Sequence, residues 1–339
     1  MERREVRMSS RVNALRIRTK IALGVFLLIG AFGGIAFAEP PANNWGRWGA
    51  GDQLGAANFI TPDRIVAAAR LIQSGRVVSL AIPLDQQGPV FPGRIPPVRL
   101  MSVSGADYAA GEQSAFGAPF HIADDYLFMP IQGSTQWDAL AHAWQGDTLY
   151  NGVSQKEIRG SGAHKLGIEN VKNKLVGRGV LIDVLAHRGG TLPPGTAITR
   201  AELEATLAAQ KTEIRSGDIV LVRTGVIAAY FALKDPVART QFLTSPQSGL
   251  ALDTAGFVRE HEIAAIAADN MTLEKFPSGQ ETLHMALIHQ LGVYIGEIFW
   301  LEDLAADCAK DGRYEFFLAA QPLNLTHSVA SPLNPVAIK

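Results

Sequence analysis

A single cysteine, Cys308, among 339 residues excludes an internal disulfide and any cysteine-based zinc finger. An excess of one charge is also missing. With 31 basic and 32 acidic side chains the net charge is −1, which gives no electrostatic reason to expect a nucleic-acid partner. There is no G-x-S-x-G elbow, so the common serine-hydrolase reading lacks its nucleophile. A G-x-G-x-x-G after a strand and a phosphate-binding P-loop are absent too. Past residue 40 there is no repeat, charge block or low-complexity tract. What remains is a globular composition, 47% hydrophobic and 19% charged, which excludes a disordered, collagen-like or coiled-coil chain. The length suits one large domain or two ordinary ones.

One long apolar run stands out. Seven basic side chains (Arg3, Arg4, Arg7, Arg11, Arg16, Arg18 and Lys20) lie against Glu2 and Glu5 in the first twenty residues. The segment from Ile21 to Ala38 is then wholly apolar and ends Ala36-Phe37-Ala38. A basic start, an apolar middle and a small-x-small ending read as a secretory signal peptide over residues 1–38. An uncleaved anchor is the rival, since the run nearly spans a bilayer. Its glycines and the Ala-x-Ala ending favour cleavage, and with it a periplasmic protein without a stable membrane anchor. Residues 39–339 then carry 24 basic and 30 acidic side chains, a net charge of −6. In an oxidising compartment the lone Cys308 is best placed as a small hydrophobe buried in a short helix.

No linker divides residues 39–339, which read as one domain. Helices are expected at 61–73, behind Thr61-Pro62-Asp63, and at 199–210, where Thr199 and Glu202 form a capping box. Further helices are expected at 281–291 and 301–310. Strands are expected at Val77–Ile82, Val180–Val184, Ile219–Arg223, Ile263–Ala268, Val293–Ile295 and Phe316–Leu318. Several are continuous apolar runs alternating with helices, which argues buried strands in a mixed α/β core. Residues 84–135 are rich in Gly and Pro and poorly periodic, and suit a site or an oligomer contact.

The densest polar cluster runs from Gln132 through Gln136 and Asp138 to His142. On a helical turn Asp138 and His142 would share a face, the carboxylate holding a divalent cation or orienting an imidazole that moves protons. A second cluster sets His284 at the start of an apolar helix and Glu297 just after an apolar strand. A helix–turn–strand hairpin would return them to one end, where His, Glu and the earlier Asp make a ligand set for Zn²⁺ or Mn²⁺. His289 reads as a bystander. Asp269-Asn270 follows a strand at a position where α/β folds often place site residues. Trp45, Trp48, Trp137 and Trp144 can line an apolar pocket or fill the core. His121, His164, His187, His261 and His327 have no evident partner.

The segment Gln132–His142 lies where the signature H-x-G-T-H-x-D-x-x-x-H would fall, and on it the chain resembles the cyclase family of metal-dependent hydrolases, which includes kynurenine formamidase and isatin hydrolase. The resemblance extends through Asn44-Trp45-Gly46, Asp52–Gly55, Gly177–Asp183, Gly217–Gly225, Asp269-Asn270, Leu283–Glu297 and Ser331–Ala337, covering residues 44–338. It implies a swivelling β/β/α fold around a β-barrel-like core, assembled as a homodimer or larger homo-oligomer. In relatives the two signature histidines and the aspartate, here Asp138, bind the metal, the closing histidine, here His142, is the acid/base, and a later pair, here His284 and Glu297, completes a second metal position. Both signature histidines are glutamines here, Gln132 and Gln136, and the signature glycine is Ser134. Glutamine offers a carbonyl oxygen, a weaker zinc ligand than imidazole.

The expected activity is therefore exported hydrolysis of a C–N or C–O bond in a small cyclic or aryl amide, imide or lactone. A zinc or manganese ion would sit on Asp138, His284 and Glu297, helped by Gln132 and Gln136. Without metal, Asp138 would orient His142 as general base, and Gln136 and Gln132 would donate to the oxyanion. Trp45, Trp48 and Trp137 would face an aromatic substrate. The alternative is a degraded relative that binds a small molecule in the periplasm without turnover.

Overall fold

The computed structural model describes residues 43–112 and 120–339; the leader reading at 1–38 lies outside them. The chain builds a mixed α/β fold around one large, curled half-barrel sheet of nine strands. In chain order the strands of three or more residues and the longer helices are α1 (Pro62–Ala69), β1 (Val77–Ser79), β2 (Val98–Val103), α2 (Gly105–Ala110), β3 (Asp124–Phe128), β4 (Gln136–Asp138), β5 (Val176–Ile182) and α3 (Arg200–Gln210). There follow β6 (Ile219–Val222), α4 (Val226–Ala232), α5 (Pro236–Thr244), α6 (Thr254–Glu260), β7 (Ala265–Ala268), β8 (Tyr294–Glu297), α7 (Glu302–Asp311), β9 (Glu315–Ala319), β10 (Ala330–Pro332) and β11 (Val336–Ile338). A π-helix, Met285–Leu291, leads into β8.

The sheet runs in the order β1, β11, β9, β5, β6, β7, β8, β4, β10. Its middle, β5 through β8, is parallel, and both flanks are antiparallel. The middle strands β6 and β7 are the unbroken apolar runs Ile-Val-Leu-Val and Ala-Ile-Ala-Ala, buried at every position. Parallel strands need helical crossovers, which cover both faces and make such runs favourable.

The capping signals are carried through unequally. Thr199 accepts from the Glu202 amide at the start of α3, but the Glu202 carboxylate binds Arg188 at 2.5 Å instead of closing the box. Pro62 opens α1 as expected, without a side-chain bond from Thr61. Cys308 is fully buried in α7, and burial pushes its thiol up to about 11. No helix among the described residues is long and apolar enough to cross a membrane.

The irregular region is less irregular than its composition suggests. Within residues 84–135, β2 and β3 form a two-stranded antiparallel ribbon, bulged between Met101 and Val103, with α2 near its turn. The ribbon carries exposed Leu100, Met101, Tyr126, Leu127 and Phe128. These include neighbours along each strand, so both faces are apolar and open.

Candidate functional site

Residues 132–142 do not form the expected helical turn. Gln136, Trp137 and Asp138 are the strand β4, ladder-bonded to β8 on one side and β10 on the other. Two waiting neighbours and a large aromatic at the centre favour the extended form over one short helical turn. Alternation along the strand places Gln136 and Asp138 on one face and Trp137 on the other. Trp137 is fully buried, packs on Phe299 at 5.2 Å between ring centroids and donates Nε1 to the Ala320 carbonyl at 2.7 Å. It is core, not a substrate platform. Its cross-strand partner is Gly296, where a Cβ would sit 2.5 Å from the indole ring and 2.5 Å from Ala267 Cβ.

After Asp138 the chain turns, the His142 amide donating to the Ala139 carbonyl at 2.9 Å. This brings His142 Nε2 to 3.7 Å from Asp138 Oδ2. The i, i+4 pair thus meets through a strand and a turn.

The second cluster closes on the same face. The pairing of β4 with β8 sets Glu297 opposite Gln136, whose Nε2 donates to Glu297 Oε2 at 2.8 Å. His284 precedes the π-helix and points Nε2 at Glu297 Oε1 (3.4 Å) and Asp138 Oδ2 (3.9 Å). Its ring centroid lies 6.2 Å from that of His142.

Two residues at this site were not legible in the sequence. Glu274 is buried, takes His284 Nδ1 at 3.1 Å with one carboxylate oxygen and accepts the Leu283 amide with the other. Nothing in its spacing singles it out. Arg94 donates Nη1 to the Gln132 carbonyl at 2.9 Å, and the Gln132 amide in turn lies 3.4 Å from His142 Nδ1. Gln132 therefore sits on the ring nitrogen of His142 that does not face Asp138.

Other sequence candidates have supporting parts. Asn270 Nδ2 donates to the carbonyls of Ser248, Leu273 and Glu274, bracing the loop that carries Glu274. Asp269 accepts from the Thr224 amide and hydroxyl and the Gly225 amide at 2.5–2.8 Å, holding the start of α4. Trp45 lies edge-on to His289 at 5.2 Å, Trp48 packs on Phe59 at 5.1 Å, and Trp144 donates to Gln155.

Burial, then the neighbouring Glu297 charge, raises the Asp138 carboxyl well above its usual range, partly offset by His284 and Arg94. Burial lowers His142 to about 4, assisted by the positive charges of His284 and Arg94, so its ring is neutral at pH 7. Burial also opposes charge on His284, but hydrogen bonds to Glu274 and Glu297 and the carboxylate charges overcome it, and His284 is held well above the ordinary imidazole value. Protons are thus retained where three carboxylates crowd one imidazole, and a bound cation would relieve that excess.

The donor atoms fit a divalent ion. Both Asp138 oxygens and Gln136 Oε1 are buried without a hydrogen-bond partner. Ligand atoms of Asp138, His142 and His284 lie within 4.8 Å of one another. Glu297 Oε1 faces the same imidazole. A buried carboxylate with no donor on either oxygen is costly unless something positive meets it. In Gln136 the atom left unpartnered is the acceptor oxygen, which suits ligation better than donation to an oxyanion.

The Cyclase family model matches residues 78–275. A solved structure described as a novel cyclase is 56% identical, covering 88% of this chain and 99% of its own, with a TM-score of 0.85. Isatin hydrolase A from Labrenzia aggregata, bound to benzyl benzoate, shares the fold at 18% identity, covering 81% of this chain and 97% of its own, TM-score 0.54. An isatin hydrolase bound to the product analogue thioisatinate does so at 15%, covering 82% and 98%, TM-score 0.56. No curated protein matches. With the family model spanning more than half the chain and a majority-identical cyclase aligned along nearly all of it, this chain belongs to the cyclase family.

Proposed function

We propose that this protein is a divalent-metal hydrolase that opens a C–N or C–O bond in a small aryl or cyclic amide, imide or lactone. The observation that carries the reading is the buried Asp138 carboxylate, bare of donors, facing His142 and His284 with Glu297 beside them. The isatin hydrolases that share the fold agree with it. Asp138, His284, Glu297 and the Gln136 carbonyl would hold zinc or manganese, oxygen-rich ligation that suits manganese as well as zinc. Such an ion polarises a carbonyl and lowers the pKa of bound water.

The chain's own residues supply the rest. Glu274 accepts the hydrogen bond from His284 Nδ1–H, which fixes the tautomer and leaves Nε2 as the atom a cation would meet beside Asp138 and Glu297. His142 is neutral at pH 7 and a quarter exposed, so it can take a proton from water and return it to the leaving nitrogen or oxygen. Gln132 beside Nδ1 holds that ring in place, its amide oxygen accepting Nδ1–H in the tautomer that leaves Nε2 as the base. A second reading, binding without turnover, draws on the two glutamines at the signature histidine positions, each a weaker zinc ligand than imidazole.

The test is elemental analysis of protein purified without added metal or chelator, followed by a screen of aryl formamides, cyclic imides and lactones. Stoichiometric zinc or manganese that is lost in Asp138→Asn, together with turnover, is the expected result. Metal-free protein after incubation with both ions would overturn the metal-dependent reading, and binding of a screened compound without turnover would favour the second.

The same proposal includes export and self-association. The basic-then-apolar segment 1–38 argues for a cleaved leader, and N-terminal sequencing of protein from the periplasmic fraction tests it. A lone two-stranded ribbon with both faces apolar is marginal in water unless covered, and a second copy of this chain is the cover proposed. Leu100→Ser with Phe128→Ser should shift sedimentation from dimer to monomer; an unchanged sedimentation coefficient rules the ribbon out as the contact.

A further inference from the structure

The loop before the ribbon brings a fixed positive charge up against Gln132, the neighbour of His142. Phe91-Pro92-Gly93-Arg94 is a turn with Pro at its second position, Gly93 at φ +94° and the Arg94 amide donating to the Phe91 carbonyl at 3.1 Å. Pro pre-sets the first half of such a turn and only glycine takes the second half freely. The turn stacks the guanidinium over the Phe91 ring, 5.8 Å from its centroid, and Phe91 in turn lies 6.1 Å from Phe276. One guanidinium N–H goes to the Gln132 carbonyl, the residue whose amide touches His142. That is its one side-chain hydrogen bond among the described residues, which leaves four of its five N–H donors without a protein partner there.

We propose that Arg94 is a specificity-determining residue that selects substrates carrying a carboxylate on an aromatic body, the guanidinium taking the anion and the Phe91–Phe276 pair taking the ring. The proposal rests on the hydrolase reading above and names its substrate class. An arginine held only to brace a loop would serve as well with its remaining donors buried. Here the residue is exposed beside a buried cluster of carboxylates, Asp138, Glu274 and Glu297, none of which it binds. An anion approaching such a cluster needs a compensating cation at its edge, and a fork pre-stacked on an aromatic ring loses little freedom in supplying it.

The experiment compares the wild type, Arg94→Gln and Arg94→Lys. Benzoate and its neutral isostere benzamide are titrated calorimetrically into protein as purified, and kcat/KM is measured for formanilide and 4-carboxyformanilide. Loss of a charge-assisted hydrogen bond predicts about a ten- to hundred-fold weaker benzoate affinity in Arg94→Gln, with benzamide unchanged and Arg94→Lys between the two. The kcat/KM for 4-carboxyformanilide should fall by a similar factor relative to that for formanilide, mostly through KM, so that any effect of Arg94 on His142 cancels in the ratio. Equal benzoate affinity in wild type and Arg94→Gln, or wild-type benzoate binding no tighter than benzamide, overturns the proposal. Arg94-dependent benzoate binding without turnover of either formanilide or any screened substrate would overturn the hydrolase reading and leave Arg94 as the anion site of a binding protein. Unchanged thermal midpoints in both variants exclude a folding defect.

Discussion

Glu274→Gln isolates the part of this site that its sequence concealed. The substitution keeps the side chain's volume and one acceptor oxygen, so the Leu283 amide stays bonded, but it removes the charge that meets His284 Nδ1 at 3.1 Å. That charge fixes which nitrogen of His284 faces Asp138 and Glu297, 3.9 Å and 3.4 Å away. Carboxylate partners behind metal-binding histidines typically contribute 10- to 100-fold in metal affinity, about 1.4–2.7 kcal/mol. Chelator-stripped Glu274→Gln should therefore bind zinc or manganese 10- to 100-fold more weakly in competition with a metallochromic dye. Its thermal midpoint without metal should change little. Turnover should recover substantially at saturating metal, because Glu274 touches neither the expected ion nor His142. An affinity within twofold of wild type, measured beside a Glu297→Gln control that does weaken binding, would refute the positioning argument.

Three further outcomes follow from particular contacts. His142→Asn should reduce kcat by about 10²–10⁴ while leaving the affinity for a non-hydrolysable ligand nearly intact; unchanged turnover would remove His142 from proton transfer. Gly296→Val drives a side chain into the Trp137 ring and Ala267, and urea denaturation should show a loss of about 1–3 kcal/mol or more, against little for an exposed glycine with open space around it such as Gly51→Ala. Burial raises the Asp269 carboxyl to about 6, against its hydrogen bonds from Thr224 and Gly225. The folded state then binds this proton more tightly than the unfolded one, so Asp269 lowers stability as pH rises from about 4 to 6. Unfolding free energies measured across that window should fall less steeply with pH in Asp269→Asn than in wild type, and an unaltered slope would contradict the assignment.

The parallel centre of the sheet was legible in the chain because burial on both faces leaves its mark on every residue: Ile219–Val222 and Ala265–Ala268 carry no polar position to mislead. Asp138, His142, His284 and Glu297 were legible as residue types at motif spacings, α1 and α3 as capped, periodic runs, and α7 as a shorter helix. The local form of 132–142 was not. Three residues with polar neighbours read as a helical turn until two partner strands, distant in sequence, supply ladder bonds on both sides and Gly296 clears room for Trp137. Glu274 and Arg94 lay outside local pattern for the same reason. A carboxylate ten residues from His284, and a guanidinium thirty-eight residues from the carbonyl it binds, become neighbours only when the chain closes. Side-chain chemistry and periodicity are written locally in the sequence. Which nitrogen meets which oxygen is decided by strand register, and register is a property of the whole sheet.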